Sequence, residues 1–113
     1  MQRPGRPPTV RALFYAPGVT DFATSVERLH NHVRHWEQPR WKNKADQMYA
    51  LVQHLADLGA DAEGQPRRPV PREHDMILPD QLRVVADDLL AAEPAEPALA
   101  EATASVDALR HAL

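Results

Sequence analysis

Residues 20–58, TDFATSVERLHNHVRHWEQPRWKNKADQMYALVQHLADL, decide the fold class. Phe22, Val26, Leu29, Val33 and Trp36 recur at alternating steps of four and three, so on a helix they fall within roughly 80° of one another and form one narrow apolar seam. Thr20 or Asp21 can cap its start, and Asp21 suits the positive end of the helix dipole. Pro39 stops it, because the residue before a proline is pushed out of the α region. Trp41, Ala45, Met48, Val52, Leu55 and Ala56 make a second seam, widened by Leu51 and Leu58, with Gly59 placed as the residue just past the helix end. Few residues separate the two seams around Pro39, so an antiparallel hairpin of helices 20–37 and 41–58 is expected, with Trp36 and Trp41 flanking its corner.

Outward from this hairpin, prolines punctuate the chain. Residues 60–78 hold Pro66, Pro69 and Pro71 among Arg67, Arg68 and Arg72 and read as a long loop. Loops of this length are functional or disordered in compact domains, which gives the segment weight. Pro79 and Asp80 open a third helix, 79–92, with Leu82, Val85, Ala86 and Leu89 on one face and Leu90 beside them. Pro97 opens a fourth, 97–112, carrying Leu99, Ala102, Val106, Leu109 and Leu113. Its other positions are largely alanine, which favours helix but buries little area. Residues 1–18 hold four prolines and are expected to form an N-terminal arm, part of which packs through Val10, Leu13, Phe14 and Tyr15. The expected fold is all-α: a three- or four-helix up-and-down bundle over 19–113, with an extended arm and a long Pro-rich loop between helices two and three.

Composition bounds the chemistry. The 113 residues contain no cysteine, so neither a disulfide framework nor a thiolate site is available, and a cytoplasmic setting is expected. No apolar run approaches the roughly 20 residues that span a bilayer, and the arginines and prolines of residues 1–18 leave no apolar core for a secretory signal. The net charge of -3 conceals an asymmetry: residues 1–60 hold eight Lys/Arg against five Asp/Glu, residues 61–113 five against eleven. Mutual attraction of the halves is the plain reading; an interaction surface on one of them is the sharper one.

Four constellations bear on chemistry. His30, His32 and His35 invite a metal, but on a helix His30 and His32 point about 160° apart, leaving only His32 with His35, or Glu27 with His30, as i, i+3 pairs. The second Glu-x-x-His of a di-iron bundle is missing, so solvated histidines are the plainer reading. Arg28, Arg34, Arg40, Lys42 and Lys44, interleaved with the two tryptophans, would suit phosphates and stacked bases. Against that, both tryptophans belong to the apolar seams and the chain is acidic overall. Asp87 and Asp88 point about 100° apart, and Glu73, His74 and Asp75 read as a solvated turn rather than an acid-base group. The PRRPVPR stretch at 66–72 contains a P-x-x-P core that a polyproline-binding module could read, although a stiff connector has the same composition.

The expected function is therefore that of a small non-enzymatic protein-protein interaction or regulatory protein, adaptor-like, without a cofactor. Leu13, Phe14, Tyr15, Met76, Ile77 and Leu78 are its candidate contact residues and a homodimer its working form. Nucleic-acid binding through the 28–44 face is the alternative, and a histidine-based metal site the second alternative.

Overall fold

The computed structural model describes residues 18–113. It is all-α: helices α1 (Val19–Val33), α2 (Gln38–Trp41), α3 (Ala45–Ala62), α4 (Leu78–Ala91) and α5 (Glu96–Ala112), with a 3₁₀ turn at Asp75–Ile77 before α4 and no strand among the described residues. The expected arm lies outside them.

Both apolar seams are buried as the spacing requires: Phe22, Leu29 and Val33 from α1 and Met48, Val52 and Leu55 from α3 have no solvent exposure. Leu82 and Leu89 of α4 and Ala102 and Val106 of α5 complete the same core. Pairing of the helices differs from expectation. α1 packs on α5 and α4, and α3 on α4 and α5, whereas α1 and α3 meet at most marginally. The hairpin of the first two long helices is thus not formed. Its premise of a short connection fails, because α1 ends at Val33 and α3 begins only at Ala45.

Pro39 explains the early end of α1. Its ring excludes the carbonyl of residue i-4 and it has no N–H to offer, so it fits only the first turn of a new helix, where it opens α2. The chain tightens before it, with Trp36 N–H donating to the Val33 carbonyl at 2.9 Å, and tightens again after α2, with Lys44 N–H donating to the Trp41 carbonyl at 2.8 Å. Trp36 and Trp41 meet edge to face across this connection, ring centroids 4.9 Å apart, and both are buried. The α1 cap is Gly18, at φ 91°, rather than Thr20 or Asp21, which sit inside the first turn.

Gly59 is likewise not a helix terminus. It lies buried within α3, where its missing side chain lets the backbone approach Leu89 of α4. The terminal role falls to Gly64, at φ 68°: its N–H donates to the Asp61 carbonyl at 3.1 Å and Gln65 N–H to the Ala60 carbonyl at 2.9 Å, the double closure of a Schellman motif.

Candidate functional site

From Glu63 to His74 the chain has no helix or strand, yet its backbone is held at several points. Proline contributes no N–H, so a Pro-rich segment cannot close its own ladder and leaves its remaining polar backbone groups to outside partners. Helix α3 supplies two. Gln53 accepts from the Val70 N–H at 2.7 Å and donates to the Arg68 carbonyl at 3.0 Å, and the Tyr49 hydroxyl donates to the Val70 carbonyl. Helix α4 supplies the third, Gln81, which donates to the Pro71 carbonyl at 3.1 Å.

Ion pairs fix the two ends of this strap. Arg67 grips Asp61 with two bonds of 3.0 and 2.7 Å; the guanidinium's hydrogen bonds hold the Asp61 carboxyl below its ordinary pKa, and the carboxylate raises that of Arg67. Arg72 donates to Asp46 at 2.8 Å, lies 3.6 Å from Asp75, and rests its guanidinium 4.8 Å from the Tyr49 ring centroid. Gln38 of α2 reaches the same Asp75 at 3.0 Å, and His74 Nδ1 accepts from the Met76 N–H at 3.1 Å to cap the 3₁₀ turn. Glu73, His74 and Asp75 therefore do not converge as an acid-base group; His74 and Asp75 hold the turn in place.

Beneath the strap, an open hollow of about 450 Å³ is floored by Leu55, Gly59 and Val85 and rimmed by Glu63, Arg68 and Asp88. Beside it runs the outer face of α4, where Val84 is 58 % exposed. Val84 and Met76, 42 % exposed, are the large apolar side chains left open to solvent among the described residues. Of the expected contact residues, Met76 is accessible and Ile77 half-buried, but Leu78 is 1 % exposed and belongs to the core, because as the first residue of α4 it turns inward with Leu82. Leu13, Phe14 and Tyr15 lie outside the described residues.

The other candidates are dispersed. His32 and His35 border one shallow hollow together with Glu37, but no three histidine or carboxylate groups among the described residues are placed to hold a metal ion. Glu27 is taken by Arg83 at 2.9 Å and Asn31 at 3.4 Å, and Arg83 draws its carboxyl below the ordinary pKa. Burial lowers the pKa of His30, helped by the Arg83 charge, and its Nδ1 has no hydrogen-bond partner among the described residues.

Arg28, Arg34, Arg40 and Lys42 are exposed and Lys44 half-buried. Arg40 and Lys44 lie over the Trp36 ring, at 5.0 and 5.4 Å from its centroid, and Trp41 is fully buried. The 28–44 region thus offers cations without an open aromatic platform for bases.

No family model matches this chain, and no curated protein or solved structure is similar to it. The residues that sequence reading missed are Tyr49, Gln53 and Gln81. They are single polar positions on amphipathic helices; the one available signal was a long Pro-rich loop needing partners for its carbonyls.

Proposed function

We propose that this chain is a small non-enzymatic interaction or regulatory protein, adaptor-like, built as a four-helix bundle whose Pro-rich loop and adjoining α4 face form the binding surface. The supporting observation is the commitment of Tyr49, Gln53 and Gln81 to backbone groups of a loop that has no regular structure of its own. Holding an exposed segment in one shape lowers the ordering cost of binding, which is how a small surface gains affinity.

The partner is a second copy of the chain. The strap carries exposed Arg68, while the adjoining α4 face carries exposed Asp87, Asp88 and Val84. Both charge signs flanking an apolar residue on one surface can match the same surface turned by a two-fold axis. Contact then runs through Val84, with Met76 and Ile77 at its edge, and the surroundings are cytoplasmic, in keeping with a cysteine-free chain.

Sedimentation equilibrium of the full chain tests this reading. A monomer-dimer equilibrium that shifts to monomer in Val84→Glu supports it. A monomer at every concentration up to millimolar, or a dimer indifferent to Val84→Glu, overturns it.

A further inference from the structure

Positive charge is gathered where α1 ends and the chain turns through α2. Residues 28–44 hold five Lys/Arg against a single carboxylate, Glu37, whereas residues 45–113 hold five against thirteen. Of the latter five, Arg67, Arg72 and Arg83 are ion-paired. None of Arg28, Arg34, Arg40, Lys42 and Lys44 has a carboxylate at ion-pair distance among the described residues. Residues 1–17 contain no Asp or Glu, so they have none to offer either. The negative end of the α1 dipole, about half a charge, answers at most one of the five.

We infer that this surface binds the phosphate backbone of a nucleic-acid duplex without reading its sequence. The class of ligand follows from what the surface lacks as well as from its charge. No large apolar side chain is exposed between residues 28 and 44. Protein interfaces close on an apolar core from which charged groups are depleted, so an acidic protein finds no such centre here. Trp36 is 5 % exposed and Trp41 fully buried, which leaves no ring open to the stacked bases by which single strands are held. A phosphate backbone needs neither feature. Its affinity comes from the counterions released as Lys and Arg neutralise phosphates, and a duplex concentrates these at one charge per about 1.7 Å of axis.

The side chains are laid out for that task. Thr24, Arg28 and His32, at steps of four on α1, are exposed and lie within about 80° of one another. Where this stripe ends, His32 and His35 border an open hollow together with Arg40, Glu37 and the Trp36 ring. Arg40 and Lys44 rest over that ring, which orders two long side chains before an anion arrives. Hydroxyl and guanidinium groups are donors to phosphate oxygens, and the guanidinium fork can grip two at once. The surface shares no residue with the strap or the α4 face, so the inference stands apart from the proposed self-association.

Fluorescence anisotropy of a labelled mixed-sequence duplex of about 20 base pairs, titrated with the full chain between about 20 and 200 mM salt, tests it. Log affinity is expected to fall with log salt at a slope of about -4, from four or five phosphates at about 0.9 each. Arg34→Gln combined with Lys42→Gln, both exposed, should reduce the steepness by about 2, and Arg28→Gln alone by about 1. Gln65→Glu combined with Arg68→Gln makes the same change in net charge on the strap and should leave the slope as it was. Absence of binding at the lowest salt overturns the inference, as does an equal loss in the strap variant. Several-fold tighter binding to a single strand of the same sequence, or binding to polyglutamate at least as tight as to the duplex, overturns it too.

Discussion

Gln53 and Val70, 17 residues apart in sequence, are joined by a 2.7 Å hydrogen bond from the Val70 amide to the Gln53 side-chain oxygen. The same side chain donates to the Arg68 carbonyl at 3.0 Å, so one amide group occupies both a donor and an acceptor of the strap as a neighbouring strand would. Replacing it leaves both unpaired.

Gln53→Ala is accordingly expected to destabilise the fold by about 1 to 2 kcal/mol, the net worth of two partly solvated hydrogen bonds. Urea unfolding measures the loss. Amide exchange localises it: the Val70 amide should exchange faster by a larger factor than amides at the centre of α1, which report only the global loss.

The glycine within α3 and the one just past its end predict opposite signs. An alanine methyl at Gly59 would meet the Leu89 backbone at 3.7 Å, an ordinary contact, so Gly59→Ala is expected to gain up to about 1 kcal/mol from helix propensity. At Gly64 the φ of 68° penalises any side chain, and Gly64→Ala is expected to cost about 1 kcal/mol. Thermal unfolding of the two variants side by side checks the pair.

Trp41 anchors the connection between α1 and α3. With no solvent exposure, Trp41→Ala should cost about 3 to 5 kcal/mol. Arg40→Ala removes one exposed cation from above Trp36 and should cost no more than about 1 kcal/mol. Denaturant titration of both separates a core tryptophan from a surface stacking platform.

Acid should weaken the fold through His30. Burial and the Arg83 and Arg34 charges lower its pKa in the folded state, outweighing the opposing pull of Glu27 and Asp80. The unfolded chain therefore binds the proton more readily. The contribution is fully present above the ordinary histidine pKa of about 6.5 and is lost as pH falls through the lowered folded value. Glu27, also lowered, adds a loss of the same sign below its ordinary value of 4.5. Unfolding free energies between neutral pH and pH 5 should fall more steeply for the unaltered chain than for His30→Gln.

Much of the helical content is legible in the sequence because burial imposes a period: the seams at Phe22 to Val33 and Met48 to Leu55 are core, and α4 and α5 start at Leu78 and Glu96, each one residue before the proline, Pro79 or Pro97, that composition puts at the start. Helix partners are less legible. Whether α1 and α3 pair depends on the path of residues 34–44, and there Pro39 inserts a separate short helix instead of a tight corner. The strap was visible as a loop, but its anchors were not, since a lone Gln or Tyr on a helix has no periodicity. Nor does sequence separate a buried helical glycine that alanine could replace, Gly59, from one needed for positive φ, Gly64, five residues later.

The central claim, that the strap and the adjoining α4 face form the self-association surface, is tested most directly by amide hydrogen exchange on the full chain at dilute and at high concentration. The account predicts that Arg67, Arg68 and the residues around Val84 gain protection as concentration rises, while the exposed turns of α1 do not. Protection that is unchanged at every position, or that rises on α1 and leaves the strap unaffected, would contradict it.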